Sequence, residues 1–150
     1  GGTPPQVDLG REKALAELLQ RAAHDGLVTS AHDLSTGGLI QSLVESCLRR
    51  SVGARVWLGE VMERDGVDLV SALFSESTAR VIVSVAREDD VKFRGLCDGR
   101  GVPVARIGVT DTPGHALHIA EAGEFDLDEL FSLHESTIPG RFGPVVGGPV

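Results

Sequence analysis

Ser-Ala-His-Asp-Leu-Ser-Thr-Gly-Gly-Leu, residues 30–39, joins a short apolar segment to a long amphipathic one. Val28 gives the preceding residues strand character, so we predict a strand at 27–31. After the stretch, apolar residues recur at the i, i+3, i+4, i+7 spacing of one helix face: Leu39, Ile40, Leu43, Val44, Cys47 and Leu48. This spacing predicts a helix at about 37–50, and the polar residues between the two elements form a turn.

A strand-to-helix turn with paired glycines is chemically suited to phosphate. It presents free backbone N–H groups and the positive end of the helix dipole. Gly37 and Gly38 let the backbone approach an anion closely, and Asp33 adds a carboxylate of the kind that Mg²⁺ prefers. Ser35 and Thr36 add hydroxyl groups. The alternative is that Ser35 or Thr36 caps the helix while the glycines make a tight turn.

Length and composition indicate one ordinary globular domain. The chain has 150 residues, the size of a single domain, with 41% hydrophobic and 4% aromatic residues, so we expect an aliphatic core. No apolar run approaches the roughly 20 residues that span a bilayer. The first residues carry neither the basic nor the apolar region of a signal peptide. We therefore expect a cytoplasmic location and no membrane partner.

The charge balance limits the binding partners. The net charge of −8 argues against nonspecific binding to nucleic acid, which needs clustered basic residues, but it leaves room for a small phosphorylated ligand. Cys47 and Cys97 lack the spacing of a metal site, so we interpret both as small core residues.

The rest of the sequence predicts alternating helices and strands. Prolines make an extended segment at 1–10, and 139–150 is a tail rich in glycine and proline. The apolar run at 79–86 indicates an interior strand covered on both faces, whereas 60–66 indicates a polar connection. A turn at 111–114 predicts that 115–120 forms a hairpin with the strand at 102–109. The remaining elements are expected as helices at 11–25, 68–74, 88–98 and 126–135 and a strand at 52–58.

This order favours an α/β or α+β fold in which a mixed β-sheet is packed with helices. A fully parallel, doubly wound sheet is less favoured. A dinucleotide site of the Rossmann type is not supported, because no GxGxxG motif follows a predicted strand.

Two motifs carry a resemblance to a known family. Residues 30–39, with Glu45 further along the helix, are similar to a signature of the phosphoribosylformylglycinamidine synthase family, Ser-Ala-His-Asp-x-Ser-Asp-Gly-Gly-Leu. Leu-Phe-Ser-Glu-Ser at 73–77, followed by Arg80, resembles a second segment of that family. Thr36 departs from the pattern, because the family usually has Asp there. That departure weakens the case for a metal site, although a hydroxyl can still cap the helix or contact phosphate.

The resemblance implies the C-terminal domain of the synthetase subunit, with an AIR synthase C-terminal-domain-like fold over 1–150. It implies an ATP-dependent ligase of purine biosynthesis that converts formylglycinamide ribonucleotide to the amidine with ammonia from glutamine. The implied cofactors are ATP and Mg²⁺. The implied partners are a preceding AIR synthase N-terminal-type domain, which supplies the other wall of the nucleotide cleft, and a glutaminase subunit or domain. The domain alone is expected to be inactive.

The resemblance also implies roles for individual residues. Asp33 is the candidate Mg²⁺ contact, and Ser35 is a candidate phosphate contact together with Thr36, Gly37 and Gly38, whose glycines shape the turn. His32 either contacts the ligand or fixes the loop. For Glu76 and Arg80 a structural ion pair is favoured over a ligand role. No catalytic residue is assigned to this chain.

Two other functions stay open. The domain could be a non-catalytic docking module, or one that serves an auxiliary nucleotide site of the same enzyme. It could also belong to a different ATP-using member of the AIR synthase superfamily.

Overall fold

A computed structural model describes residues 7–49, 51–111 and 114–142, without the side chains of 134 and 137–142. The chain divides into two compact units, one from Gly1–Leu43 and Leu58–Ile107, the other from Val44–Trp57 and Gly108–Val150. Of the predicted extended segment 1–10 and tail 139–150, residues 1–6 and 143–150 lie outside the described part of the chain.

The first unit contains a two-stranded antiparallel sheet and several helices. Strands β1 (Ser30–Asp33) and β3 (Val81–Ser84) pair in a register that places Ser30 opposite Ser84 and Asp33 opposite Val81. The helices are α1 (Leu9–His24), the start of α2 (Gly38–Leu48), α3 (Gly59–Asp65), α4 (Leu69–Phe74) and α5 (Asp90–Asp98), with a 3₁₀ turn at Arg87–Asp89.

The core of the first unit lies where α1 meets α5. Leu18 and Ala22 of α1 are buried with Phe93 and Cys97 of α5. Helices are therefore present where they were predicted, at 11–25 and 88–98, and the interpretation of both cysteines as buried is confirmed, since Cys47 is also buried. Burial raises the pKa of the Cys97 thiol, which suits a core residue rather than a metal ligand or nucleophile.

Three predictions for the first unit are wrong in detail. Helix α1 begins at Leu9, inside the predicted extended segment, because the Asp8 carboxylate accepts the backbone N–H groups of Gly10 and Arg11. Residues 60–66 are mostly helix α3 rather than a connection. Strand β3 is not a fully covered interior strand, because all four of its residues are half-buried and β1 is its partner within the described residues.

The second unit contains a four-stranded sheet in the order β4-β2-β5-β6. Its strands are β2 (Gly53–Val56), β4 (Gly108–Asp111), β5 (Ala116–Ile119) and β6 (Gly123–Asp126), followed by helix α6 (Leu127–Phe142). Strands β2 and β5 are parallel and the other pairs are antiparallel, so the predicted mixed sheet with packed helices is confirmed. Leu117 and Ile119 of β5 are 0% exposed, which makes β5 the buried centre of this sheet.

The predicted hairpin between 102–109 and 115–120 is wrong. Within the described residues β5 pairs with β2 and β6, and the segment before it is a strand at 108–111 alone. The last helix begins at Leu127 as expected, because the Asp126 carboxylate accepts the N–H groups of Asp128 and Glu129. It continues through Phe142, beyond its predicted end and into the predicted tail. Within the described ranges, no helix combines the length and apolarity needed to cross a bilayer.

Candidate functional site

The polar turn lies at the end of β1, but the strand is placed later than predicted. His32 and Asp33 belong to β1, opposite Ile82 and Val81 of β3, so the turn itself begins at Leu34. The Leu34 N–H donates to the Arg80 carbonyl at 3.1 Å, which continues the pairing beyond the strand. Asp33 is therefore presented from a hydrogen-bonded sheet rather than from a loop.

His32 and Asp33 differ in exposure. The Asp33 side chain is 78% exposed and the His32 side chain 22%. His32 Nδ1 lies 2.7 Å from the Asp33 carbonyl oxygen, so this nitrogen donates to the last backbone carbonyl of β1, just before the turn. Of the two roles left open for His32, this contact supports the loop-fixing one. The Asp33 carboxylate stays accessible to a ligand or a cation.

The turn presents its hydroxyl groups to solvent and uses its glycines for shape. Ser35 and Thr36 are both exposed. Gly37 has φ +84° and Gly38 φ +67°, backbone conformations that favour glycine. The Gly38 N–H donates to the Ser35 carbonyl at 3.1 Å and closes the turn before α2 begins. The predicted glycine turn is present with its polar side chains outward.

Gly38 is also a point of close backbone contact. A Cβ atom at this position would lie 2.7 Å from the Leu73 carbonyl oxygen and 2.8 Å from the Phe74 carbonyl carbon. The turn is therefore seated directly on the end of α4, and only glycine fits there. This contact joins the two sequence motifs, 30–39 and 73–77, in space.

Glu76 makes a second link between the two motifs. The Gly37 N–H donates to Glu76 Oε1 at 2.7 Å, across 39 residues of sequence. Arg80 donates instead to the Ser75 carbonyl at 3.2 Å and contacts Ser77 Oγ at 3.5 Å. The favoured ion pair between Glu76 and Arg80 is therefore wrong, because the two side chains have separate partners. Burial lowers the pKa of the Arg80 guanidinium.

A buried serine that the sequence reasoning missed supports the turn from below. Ser42 is 2% exposed, and its Oγ lies 2.8 Å from the Asp33 carbonyl oxygen and 3.2 Å from that of Gly38. The sequence does contain a sign of this role, because Ser42 is a hydroxyl residue on the apolar face of α2, between Leu39 and Leu43 in the chain. Such a residue needs a partner, because an unpaired buried hydroxyl is costly.

Replacing Ser42 with alanine is expected to lower the free energy of unfolding by about 1 kcal/mol, because the Asp33 carbonyl loses a buried donor. Urea denaturation measures this change. Ser132→Ala is the matched control, since its exposed hydroxyl donates to the Asp128 carbonyl within a helix. A loss for Ser42→Ala no larger than for Ser132→Ala would contradict this role.

The turn offers one exposed carboxylate and two exposed hydroxyls to a ligand. The expectation of free backbone N–H groups is wrong for Gly37 and Gly38, because these groups donate to Glu76 and to the Ser35 carbonyl. Among the described residues no group of three or more His, Cys, Asp or Glu side chains could hold a metal ion. Mg²⁺ in nucleotide sites commonly takes one or two carboxylates and completes its shell with phosphate oxygens and waters. The exposed carboxylate of Asp33 fits that kind of site, whereas the carboxylates of the described residues do not form an all-protein metal cage.

A cavity of about 310 Å³ lies in the second unit, on the polar face of its sheet. Arg55, His118 and Glu124 stand at matching positions on β2, β5 and β6. The Arg55 guanidinium is paired with Asp111, with Nε and Oδ2 3.2 Å apart, so its charge is already neutralised. Among the described residues that line this cavity, His115 and His118 are the other side chains that can carry a positive charge, and the carboxylates of Asp111 and Glu124 disfavour a phosphate there.

Comparison with known proteins identifies similar sequences. The family described as AIR synthase related protein, C-terminal domain, matches residues 1–120. The chain is 63% identical over 150 residues to the phosphoribosylformylglycinamidine synthase subunit PurL of Leifsonia xyli subsp. xyli. That match includes 98% of this chain and 19% of the relative, so the chain spans about a fifth of its length.

Solved structures show the same fold. The PurL of Thermotoga maritima complexed with ATP superimposes with a TM-score of 0.75 at 20% identity, over 86% of this chain and 23% of that one. The PurLQS structure from the same organism gives a TM-score of 0.73 at 21% identity, over 81% of this chain and 21% of that one. At this level of identity the likeness establishes the fold alone.

Proposed function

Because the chain belongs to the AIR synthase related protein, C-terminal domain family, we propose that it is part of an ATP-dependent phosphoribosylformylglycinamidine synthase. The proposed reaction is a carbon–nitrogen ligation in purine biosynthesis. ATP activates the amide oxygen of formylglycinamide ribonucleotide as an iminophosphate, and ammonia from glutamine displaces the phosphate to give the amidine. The observation that carries this proposal is 63% identity to a PurL subunit over 98% of the chain.

Within that enzyme, the turn after β1 is proposed to form one wall of the nucleotide–phosphate cleft. Asp33 would hold Mg²⁺ jointly with the nucleotide phosphates, and the hydroxyls of Ser35 and Thr36 would contact phosphate oxygens. Mg²⁺, when bound, neutralises phosphate charge. Asp33 and both hydroxyls are exposed in the described structure, which supports this assignment. The ATP complex of the Thermotoga maritima relative supports a nucleotide as the ligand.

The chain would provide binding groups and no catalytic residue of its own. The second wall of the cleft is proposed to come from a preceding AIR synthase N-terminal-type domain, so the isolated domain would be inactive. A glutaminase subunit or domain would deliver the ammonia, and the PurLQS assembly of the relative supports such a partner. We place the enzyme in the cytoplasm, with neither nucleic acid nor membrane as a partner.

Two observations favour a second candidate, a docking or auxiliary-nucleotide module of the same enzyme. The Gly37 N–H is already bound by Glu76, and Thr36 stands where the family usually has Asp. In such a module the turn would stabilise the fold of the domain, or it would bind a tightly held nucleotide that is not the reacting ATP.

The gene product that carries this chain is expected to hydrolyse ATP only when formylglycinamide ribonucleotide is present together with a nitrogen source. That source is either glutamine or ammonia. Coupled detection of ADP and chromatography of the amidine measure this dependence. Adenosine monophosphate and glycinamide ribonucleotide serve as control substrates, and neither should stimulate hydrolysis. ATP hydrolysis that ignores formylglycinamide ribonucleotide would favour a different ATP-using member of the superfamily.

A further inference from the structure

The contact between Glu76 and Gly37 places a negative charge at the turn that the proposed function takes as a phosphate site. The Gly37 N–H lies just before α2, at the positive end of the helix dipole, and its distance to Glu76 Oε1 is 2.7 Å. That length is typical of a hydrogen bond to a charged acceptor. A carboxylate and a phosphate oxygen are attracted to such a donor for the same electrostatic reasons.

The turn has other means of support besides Glu76. The Gly38 backbone is seated against Leu73 and Phe74, and its N–H closes the turn on the Ser35 carbonyl. Leu34 continues the sheet pairing with Arg80. Because these contacts involve backbone atoms, the shape of the turn does not depend on the Glu76 side chain alone.

The loop that carries Glu76 is also held independently of this carboxylate. Arg80 donates to the Ser75 carbonyl, and Glu12 Oε1 accepts the Ala79 N–H at 2.7 Å, where Ala79 has φ +56°. The Glu76 side chain itself is exposed. It can therefore turn into solvent while both ends of its loop stay in place.

We propose that the Glu76 carboxylate is an internal anion that occupies the Gly37 N–H in the absence of nucleotide and is displaced by a nucleotide phosphate. This inference rests on the proposed function, since it takes the turn as a phosphate site. One N–H donor cannot bind both anions, so a phosphate can bind the Gly37 N–H only after the carboxylate has left it. The apparent affinity for nucleotide is therefore the intrinsic affinity multiplied by the fraction of time that Glu76 spends away from Gly37.

The test is equilibrium binding of ATP with Mg²⁺ to the gene product and its variants. Glu76→Gln keeps the size of the side chain and removes its charge, so ATP should bind about threefold more tightly. Glu76→Ala removes the competing acceptor and should tighten binding by about tenfold. Glu12→Gln is the matched control, because it alters a carboxylate that holds the same loop without touching the glycine turn, and ATP affinity should not change.

The outcomes separate this inference from the proposed function. Unchanged or weaker ATP binding in Glu76→Gln overturns the inference. So does weaker binding in Glu76→Ala that Glu76→Gln restores, since Glu76 would then be a brace for the turn. Asp33→Asn tests the site itself: if ATP binds but ignores this substitution, the proposed nucleotide site fails. If Asp33→Asn weakens ATP binding and both Glu76 variants leave it unchanged, the internal-anion inference alone fails.

Discussion

Replacing Gly38 with alanine is expected to lower the free energy of unfolding by about 2–4 kcal/mol. A left-handed backbone costs a residue with a Cβ atom about 1 kcal/mol relative to glycine, and forced overlap in a filled site adds about 1–3 kcal/mol. At φ +67° the new Cβ would lie 2.7 Å from the Leu73 carbonyl oxygen and 2.8 Å from the Phe74 carbonyl carbon. Both are backbone atoms, so relief requires the turn and the end of α4 to separate.

Urea denaturation followed by far-ultraviolet circular dichroism measures this loss. Gly66→Ala is the matched control, because Gly66 has φ +64° and no atom within 4 Å of the added Cβ. Its loss should be about 1 kcal/mol, from the backbone conformation alone. Equal losses for the two variants would show that the contact between the turn and α4 does not constrain position 38.

The second large effect is expected on catalysis. Asp33→Asn should reduce kcat/KM for ATP in amidine formation by about 100-fold, since loss of a metal-held phosphate contact costs about 3 kcal/mol of transition-state stabilisation. Stability should change by less than about 0.5 kcal/mol, because the Asp33 side chain is 78% exposed. Steady-state kinetics and thermal melting of the same preparations measure the two quantities.

Asp98→Asn is the control for this substitution, since it neutralises another exposed aspartate of the first unit, at the end of α5. Its kinetics should match those of the unsubstituted enzyme. If Asp33→Asn retains normal turnover and only melts earlier, the chain acts as the docking or auxiliary module instead.

Local signals in the sequence predicted most helix positions and the chemistry of the turn. Asp68 and Asp126 each cap the helix that follows them, because a short side chain can satisfy backbone N–H groups within its own neighbourhood. The paired glycines likewise indicated a turn, and both adopt left-handed backbone conformations. Such features depend on residues close together in the chain, so sequence patterns contain them.

Strand partners depend on distant residues and were predicted poorly. The turn at 111–114 suggested a hairpin, yet β5 lies between β2 and β6, with Ala54 opposite Leu117 across more than 60 residues of sequence. The turn therefore indicated a strand at 115–120 but not its neighbours. Helix α3 was missed because it is short and has one buried residue, Val61, so it lacks a periodic apolar face.

The same distinction applies to the candidate site. Residues 32–38 were found from one contiguous motif, whereas the contact of Gly37 with Glu76 spans 39 positions. Both motifs carry the resemblance, but the role favoured for Glu76 there was an ion pair with the nearby Arg80. In the structure the turn lies against the end of α4, and Glu76 accepts the Gly37 N–H instead. No pattern in the sequence indicates that geometry.

The most direct test of the proposed nucleotide site at residues 33–38 is a crystal structure of the gene product with Mg²⁺ and an ATP analogue. In this analogue a methylene group joins the β and γ phosphates. On the proposed assignment, a phosphate oxygen is expected within about 3 Å of the Ser35 hydroxyl or the Gly37 nitrogen, with Mg²⁺ on the Asp33 carboxylate. A nucleotide whose phosphates lie away from residues 33–38, with Asp33 contacting water alone, would contradict it.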